Sequence, residues 1–410
     1  MIPINTDIAV LGGGPAGLAA AIHARRTAKC RITVLERNPR IGKKLINTGN
    51  GRCNISHFPV DFNAFHGERN LAEQVFSKSA APEDFFWSLG LKLRADRCGN
   101  VYPYSNTAAS VLDALRIEIS NLKINVLTDC HVIKIEPLPE GFRLIPENPE
   151  LPIINARRLI LAPGGMAAPA TGSDGTVFDF IKKLKINILN PLASLCPIKT
   201  EPKLTRAVKG LRLNASCSAI LSGRTLRTET GEVQFGEDKL SGICIFNLSR
   251  LAAIHGKELM ISLDLTPEIN LDDLLKFIIH SAKIRAKSPI EDLLTGLLPK
   301  RCAVTLTKLI TDKPMDFKVT DLNSGELNAL ALIIKDWRFP VISCDRWSSA
   351  QTTAGGVPSS ELSENLSSKR NPHLYFAGEV INVDGDCGGY NLMWCWRSGE
   401  LAGTSAAKSI

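Results

Sequence analysis

Residues 7–17 read Asp-Ile-Ala-Val-Leu-Gly-Gly-Gly-Pro-Ala-Gly, a buried-strand pattern that runs directly into a glycine-rich turn. An alanine-rich helix is predicted over residues 18–28, so the G-x-G-x-x-G pattern lies at a strand-to-helix turn. Gly12 permits the tight turn, Gly14 lets the backbone approach a pyrophosphate, and Gly17 allows close packing of the helix on the strand. The free N–H groups at the helix N-terminus would bind the phosphates. This stretch predicts dinucleotide binding.

The following segment completes a βαβ unit. A second strand is predicted over residues 31–35, and it ends at Glu36. An acidic side chain at this place accepts hydrogen bonds from a ribose 2′-OH and would repel a 2′-phosphate. A glycine-rich loop of purely structural use is the alternative. Nucleotide binding is favoured because strand, helix, second strand and terminal carboxylate occur in register.

The composition is that of an ordinary globular protein. The chain has 410 residues, and single cores usually stop growing at about 250–300 residues, so we expect two or three domains. Hydrophobic residues make up 44% and charged residues 22%, which is typical of soluble proteins. No apolar run approaches the roughly 18 residues of a membrane span, and no signal-peptide pattern precedes the first strand. We therefore expect a cytoplasmic protein without a membrane partner.

The cysteines and the net charge bear on metal binding, disulfide bonds and charged partners. The 11 cysteines include no C-x-x-C pair and no spacing typical of zinc ligands, so we expect reduced, mostly buried thiols and no metal site. The net charge of +8 would suit an anionic cofactor, nucleic acid or simple solubility. Because the cations are scattered along the sequence, a solvated surface is the favoured interpretation, and nucleic acid is not an expected partner.

Three further segments have the composition of ligand-binding loops. Residues 37–54 are rich in glycine and cations, and long ordered loops of this kind are usually functional. A strand predicted over residues 158–162 ends in Pro-Gly-Gly, and another over residues 374–377 ends in Gly-Glu. The Gly/Asp-rich residues 384–389 then precede a helix that begins near Tyr390. The N-terminus of that helix suits an anionic or electron-rich partner.

Hydrophobic periodicity predicts the remaining elements. The βα alternation disappears between about Asn190 and Asp345, which indicates an inserted domain. Outside it we predict helices over residues 71–89, 111–122 and 176–184, and strands over residues 124–127, 131–135 and 142–145. Inside it we predict strands over residues 215–221 and 259–263, and helices over residues 271–286, 290–298 and 303–310.

Taken together, these residues resemble the HI0933-like, or BaiN-like, family of NAD(P)/FAD-dependent flavoproteins. This family lies within the two-dinucleotide superfamily that includes glutathione reductase. The resemblance covers nearly the whole chain. Besides the first glycine turn and Glu36, its markers are Gly42-Lys43-Lys44-Leu45, Gly51-Arg52-Cys53-Asn54, Gly355-Gly356-Val357, Leu374-Tyr375-Phe376-Ala377-Gly378-Glu379, Asp384-Gly385 and Gly388-Gly389-Tyr390-Asn391-Leu392.

The resemblance implies an α/β fold with a Rossmann-like FAD-binding domain. This domain is interrupted by a β-rich insert that itself carries a helical insert. The expected boundaries are 1–189 and 347–410 for the FAD-binding domain, 190–265 and 315–346 for the β-rich domain, and 266–314 for the helical insert.

The resemblance also implies FAD contacts along four parts of the chain: the first glycine turn, the loop after the second strand, the strand exit near residue 162 and the C-terminal segment. The candidate cofactor-binding residues are Gly12, Gly14, Pro15, Ala16, Gly17, Glu36, Arg37, Lys43, Lys44, Gly51, Arg52, Cys53, Asn54, Val132, Ala162, Gly164, Gly165, Gly378, Glu379, Asp384, Gly388, Gly389, Tyr390, Asn391 and Leu392.

The expected function is FAD-dependent oxidoreduction of a small or medium organic substrate. A flavin performs the hydride chemistry itself, so no catalytic side chain is assigned. Only one G-x-G-x-x-G opens a βαβ unit, so NADH or NADPH would bind only transiently, as the reductant of an enone reductase-like enzyme. An amine oxidase-like enzyme, in which oxygen accepts the electrons, stays open as the other possibility. The alternatives are an FAD-dependent tRNA-modifying protein, which would need a basic stripe with exposed aromatics, and a non-catalytic flavin sensor. The sequence does not predict the oligomeric state.

Four side chains near these segments have two interpretations each. Cys53 and Cys387 have the chemistry of redox or flavin-attachment residues, but packed thiols are favoured. His57 and His66 follow the glycine-rich loop and could face the site, with surface or core positions as the favoured alternative.

Overall fold

The computed structural model describes residues 2–410, which divide into two compact units. The first unit comprises Met1–Ala193 and Trp347–Ile410, and the second comprises Ser194–Arg346. The helices are, in chain order, α1 (Pro15–Thr27), α2 (Arg69–Lys78), α3 (Pro82–Ser88), α4 (Ala108–Asn121), α5 (Thr176–Lys183), α6 (Pro202–Thr205), α7 (Ile243–His255), α8 (Leu271–Ile284), α9 (Lys300–Lys308), α10 (Ser324–Lys335) and α11 (Tyr390–Lys408).

The strands follow the same order along the chain. They are β1 (Ile4–Leu11), β2 (Ile32–Leu35), β3 (Ser56–His57), β4 (Phe65–Gly67), β5 (Leu93–Ala95), β6 (Asn100–Pro103), β7 (Asn125–Leu127), β8 (Val132–Leu138), β9 (Gly141–Pro146), β10 (Ile154–Leu161), β11 (Leu189–Ser194), β12 (Ile198–Lys199), β13 (Arg212–Leu221), β14 (Arg224–Phe235), β15 (Lys239–Ser241), β16 (Leu259–Asp264), β17 (Trp337–Pro340), β18 (Ser343–Cys344), β19 (Thr352–Gly356), β20 (Leu374–Phe376) and β21 (Val383–Gly385).

A seven-stranded sheet forms the centre of the first unit, with the order β7-β2-β1-β10-β9-β8 and with β20 also paired to β10. The strands β7, β2, β1, β10 and β20 run parallel. Val10 faces Val34 on one side and Ile160 on the other, and all three side chains are fully buried. Parallel strands covered on both faces have such continuous apolar runs. The Rossmann-type fold predicted from residues 7–36 is confirmed.

The strand β10 connects two kinds of pairing. Its first half pairs antiparallel with β9, as Ala156 with Phe142, and its second half pairs parallel with β20, as Leu161 with Phe376. The strands β8 and β9 therefore extend the sheet as an antiparallel hairpin without covering the carboxyl end of β10.

The C-terminal helix α11 packs directly on α1, the helix that follows the glycine-rich turn. A Cβ atom at Gly399 would lie 2.5 Å from the Ala16 oxygen, and one at Gly403 would lie 2.1 Å from the Ala20 oxygen. Only glycine allows the two backbones to come this close. The chain therefore brings its two ends together at the helix that follows the glycine-rich turn.

Two helix predictions are corrected. The pattern over residues 71–89 forms two helices, since Pro82 lacks the N–H that a helix interior requires and begins α3 instead. Residues 290–298 form only a short 3₁₀ turn, Ile290–Asp292. Gly296 there has a φ of +92°, which is incompatible with a continuing right-handed helix. The helices α7 and α10 were not predicted.

The second unit is built on an antiparallel sheet of seven strands, ordered β17-β16-β13-β14-β15-β12-β18. The long hairpin of β13 and β14 is at its centre, and only β13 and β16 of this sheet were predicted. Trp337, Phe235 and Phe339 form an aromatic cluster in the core, with 5.5 Å between the ring centres of Trp337 and Phe235. No helix within residues 2–410 is long and apolar enough to cross a membrane.

Candidate functional site

The candidate site lies at the carboxyl ends of the parallel strands. Gly12 follows β1, Glu36 follows β2, and Ala162 follows β10. Backbone hydrogen bonds continue past these ends, from Gly12 N to Leu35 O at 2.8 Å and from Ala162 N to Leu11 O at 2.9 Å. Ligands of open α/β sheets bind in the crevice at this edge. The fold thus collects segments that are far apart in sequence.

The three glycines of the first turn have different environments. A Cβ atom at Gly12 would lie 2.2 Å from the Ala162 oxygen, and one at Gly17 would lie 1.9 Å from the Gly12 oxygen. At Gly14 a Cβ atom would meet nothing within 4 Å. Gly12 and Gly17 are therefore required by packing, whereas Gly14 borders open space where a ligand backbone or phosphate has room.

Glu36 is buried and holds the turn in place. Its Oε2 accepts a hydrogen bond from Gly13 N at 2.9 Å, and its Oε1 accepts from Asn38 N at 2.8 Å and Asn38 Nδ2 at 2.6 Å. A carboxylate has about four acceptor positions, so a further donor can still bind. Asn38, which the sequence analysis missed, orients the carboxylate. The sequence did contain a signal for this role, namely an amide side chain two residues after the acidic residue.

An ion pair joins the loop after β2 to the C-terminal segment. Lys44 Nζ lies 2.7 Å from Glu379 Oε2, and both side chains are largely buried. Glu379 Oε1 also accepts a hydrogen bond from Thr353 N at 3.0 Å. Thr353 Oγ1 in turn accepts from Met166 N at 2.8 Å. Thr353, not predicted, therefore connects the segments after β10 and β20.

The adjoining basic residues take separate positions. Arg37 Nη1 lies 2.7 Å from Asp174 Oδ2 and donates to Gly172 O. Burial opposes ionisation of Asp174, but hydrogen bonds from Thr176 and Arg37 hold the pKa of its carboxyl below the usual value. Lys43 donates to Asn38 and borders an open groove of about 750 Å³. Val132 is buried at the start of β8.

The last residues of the glycine-rich loop include a buried cysteine, Cys53. Gly51 has a φ of +82° and open space at its Cβ position. The Arg52 guanidinium lies over the Tyr102 ring, 4.8 Å from its centre. Cys53 is fully buried, and burial raises the pKa of its thiol to about 12. A thiol with this pKa stays protonated and unreactive at neutral pH.

The C-terminal loop is fixed by side chains from both ends of the chain. Asn391 accepts a hydrogen bond from Gly385 N at 2.9 Å and donates to Gly385 O at 2.7 Å. His66 Nε2 lies 2.8 Å from Asp386 Oδ1. The His57 ring stacks on Tyr390, with 4.8 Å between ring centres, and burial raises the pKa of the Tyr390 hydroxyl. Both histidines therefore support the loop that precedes α11.

Several features fit a bound dinucleotide with a diphosphate. The helices α1 and α11 begin after glycines, and no side chain caps either N-terminus. Their N–H groups can therefore bind an anion or an electron-rich ring edge. Within residues 2–410, the buried atoms Asn54 Oδ1 and Ser173 Oγ have no hydrogen-bond partner. Ser173 adjoins Gly164, and Asn54 adjoins Gly389, so these two of the buried atoms without a partner lie beside predicted cofactor segments.

The sheet, the glycine turn and the two uncapped helices define a Rossmann-type dinucleotide-binding protein. The sequence model of the HI0933-like protein Rossmann domain matches residues 6–405. The chain is 33% identical to a 3-dehydro-bile acid delta(4,6)-reductase of Clostridium scindens, over 98% of this chain and 99% of that protein. It is 23% identical to a ribosomal RNA dihydrouridine synthase of Escherichia coli, over 96% of both chains.

A solved structure agrees with the fold. An open conformation of a flavocytochrome c3 fumarate reductase is similar with a TM-score of 0.52 and 15% identity, covering 99% of this chain and 79% of that one. The chain belongs to the HI0933-like family, and it is an FAD-dependent oxidoreductase. The family resemblance stated from the sequence is confirmed.

Proposed function

We propose that the protein is an FAD-dependent reductase of a carbon–carbon double bond conjugated to a carbonyl group, with NADH or NADPH as the reductant. The observation that carries the proposal is the 33% identity, over nearly the full length of both chains, to a reductase of a 3-dehydro bile acid. The name of the Escherichia coli relative, which is 23% identical, describes the formation of dihydrouridine, which is also the saturation of a carbon–carbon double bond. The reaction class is thus common to relatives with different substrates.

The chain offers a set of groups to hold FAD. The N–H groups at the start of α1 would bind the diphosphate, with Gly14 leaving the necessary room. Glu36 would accept a hydrogen bond from the adenosine ribose. When bound, FAD supplies the hydride chemistry. The uncapped N-terminus of α11 would face the electron-rich edge of the ring system, where its dipole stabilises negative charge.

The cysteines do not support a dithiol relay. Cys53 lies in a predicted cofactor segment and Cys395 lies in α11, and burial raises the pKa of each thiol to about 12. No disulfide joins any two cysteines of residues 2–410. Because thiolates are the reactive form, electrons would pass directly between the flavin and the substrate.

The single G-x-G-x-x-G turn bears on how a nicotinamide reductant would bind. One G-x-G-x-x-G turn opens a βαβ unit in residues 2–410, and the cofactor would occupy it. The nicotinamide reductant would therefore bind transiently and leave before the acceptor enters. Oxygen as acceptor, as in an amine oxidase, is the competing assignment.

An anaerobic titration tests the proposal. The FAD-loaded protein is titrated with NADH and, separately, with NADPH while the oxidised flavin absorbance band is followed. We expect one equivalent of one nucleotide to bleach the band, and a conjugated enone, added without oxygen, to restore it. A saturated ketone serves as the matched control acceptor. A band that persists with both nucleotides would contradict the proposal and favour a substrate oxidase or a flavin sensor.

A second candidate has a base within RNA as the acceptor; from the sequence, the alternative left open was an FAD-dependent tRNA-modifying protein. The 23% identity to a ribosomal RNA dihydrouridine synthase favours this second candidate. An RNA strand that restores the bleached band would assign it, whereas restoration by free enones alone would assign a small-molecule reductase.

A further inference from the structure

A small sheet beside the glycine-rich loop has an outward face of cations and aromatic rings. The strands β3, β6 and β5 pair antiparallel, with Arg94 directly opposite Tyr102. Side chains alternate along β6, so Val101 and Pro103 are buried while Tyr102 points outward with Tyr104 just beyond the strand. We call the set Arg52, Trp87, Lys92, Arg94, Tyr102 and Tyr104 the aromatic–basic face.

Each ring of this face has a cation over it. Lys92 Nζ lies 5.4 Å from the centre of the Trp87 ring, and Arg94 Cζ lies 5.4 Å from the centre of the Tyr104 ring. Arg52 and Tyr102 form the third pair. Trp87 is 68% exposed and Tyr104 is 64% exposed. Large rings this exposed contribute little to the core, so folding alone does not explain them.

The cations of the face are not neutralised by carboxylates. Within residues 2–410, no ion pair involves Lys92, Arg94 or Arg52. Elsewhere in the first unit Arg26 pairs with Glu118 and Lys78 pairs with Glu364. Asp96 is close enough to act on Tyr102, but no ion pair of the described residues holds the three cations. The face therefore presents an excess of positive charge interleaved with rings, which attracts an anionic partner that also has flat aromatic groups.

The face is continuous with the candidate cofactor site. Arg52 belongs to the glycine-rich loop itself. On β6, Asn100 pairs with His57 of β3, and His57 Nδ1 donates a hydrogen bond to Gly388 O, 3.0 Å away. His57 also stacks on Tyr390 at the start of α11. A ligand lying along the face thus ends beside both loops predicted to hold the flavin ring.

We infer that the aromatic–basic face binds a single-stranded nucleic acid. Its backbone phosphates would contact Lys92 and Arg94, and its unpaired bases would stack on Trp87 and Tyr104. A duplex would not offer its base faces to these rings, so a single strand is the better fit. The binding of the strand does not depend on the proposed function. The further step, in which a base of this strand accepts the hydride, rests on the proposed function.

The test measures binding by fluorescence anisotropy with the FAD-loaded protein. The probe is a labelled single-stranded RNA of about 16 nucleotides, near the upper site size for such surfaces. DNA of the same sequence and the corresponding RNA duplex are compared, and salt is varied between about 50 and 200 mM. We expect the single strands to bind at least tenfold more tightly than the duplex, with an affinity that falls steeply with salt.

Two double variants and one matched control locate the surface. Lys92→Glu with Arg94→Glu should weaken binding more than tenfold and flatten the salt dependence. Trp87→Ala with Tyr104→Ala, which leaves the charge unchanged, should weaken it by about tenfold or more. The control, Lys182→Glu with Lys308→Glu, removes as much positive charge at exposed sites elsewhere and should change affinity by less than about twofold.

Several binding results would overturn the inference. Equal losses in the control and the Lys92/Arg94 variant would overturn the inference, because general charge would then account for binding. Binding only to the duplex, or to neither probe, would overturn it as well. Flavin bleaching by NADH or NADPH is measured on the same proteins. Normal bleaching without strand binding refutes the inference alone, and strand binding without bleaching refutes the proposed function alone.

Discussion

Replacing Glu36 separates its role in the fold from its role with the cofactor. The side chain is 8% exposed, and its carboxylate accepts hydrogen bonds from the backbone N–H groups of Gly13 and Asn38. Hydrogen bonds to charged groups stabilise proteins by about 1.5–3 kcal/mol each. Glu36→Ala leaves both buried donors unsatisfied, so the free energy of unfolding should fall by about 3–6 kcal/mol. Glu36→Gln keeps one acceptor oxygen and should cost about half as much.

Thermal unfolding of the apoprotein measures the first role. A loss of 1 kcal/mol lowers the Tm of a domain of this size by about 2–4 °C. We therefore expect Glu36→Ala to lower Tm by at least about 6 °C and Glu36→Gln by at least about 3 °C. Glu73→Gln is the matched control because Glu73 is an exposed carboxylate paired with Arg69. It should shift Tm by less than about 2 °C.

Cofactor affinity measures the second role. If Glu36 binds the adenosine ribose, Glu36→Gln replaces a charge-assisted hydrogen bond by a neutral one and weakens FAD binding about fivefold. FMN lacks the adenosine, so its affinity should not change beyond the effect of lost stability. An unchanged Tm in both variants refutes the structural reasoning. Equal effects on FAD and FMN remove Glu36 from the ribose site.

Five more substitutions probe the turn, the ion pair and the buried thiol. Gly14→Val should abolish FAD retention, seen as loss of yellow colour, with little change in apoprotein Tm, whereas Gly17→Ala should lower that Tm because its Cβ would lie 1.9 Å from a backbone oxygen. Lys44→Met and Glu379→Gln should show a coupling energy of about 1–3 kcal/mol in a double-mutant cycle of unfolding, and zero coupling would contradict the observed pair. The pKa of the Cys53 thiol is raised from 9.0 to about 12, so the folded state keeps a proton that the unfolded state loses. Its contribution to stability is intact below pH 9 and lost as pH rises toward 12, so Tm should fall more from pH 8 to pH 10 in the wild type than in Cys53→Ala.

The sequence predicted the parts of the fold that local patterns encode. The run from Ile8 to Leu11, the glycines after it and the acidic end of β2 follow simple rules of periodicity and turn chemistry, and the Rossmann-type fold is confirmed. The helix predicted over residues 71–89 was wrong because the apolar periodicity continues through Pro82, although the backbone cannot. Periodicity reports which side chains are apolar, and proline acts on the backbone instead.

Contacts between distant segments were beyond such rules. Lys44 and Glu379 were each candidates, but no local pattern pairs residues that are 335 positions apart. The partners that hold Glu36 were also missed, since the sequence shows the carboxylate and not its donors. The roles of the candidate residues toward FAD stay predictions, and the structure supplies the arrangement that makes them testable.

The aromatic–basic face is a surface that composition alone does not reveal. With 6% aromatic residues and cations scattered along the chain, no basic stripe is visible in the sequence. The antiparallel pairing of β5 and β6 places Arg94 opposite Tyr102, and alternation turns both outward. A hairpin thereby gathers residues from two strands onto one face, so a stripe can exist in space without existing in the sequence. Exposed rings beneath cations are the signal to seek, because a merely solvated basic surface has no need of them.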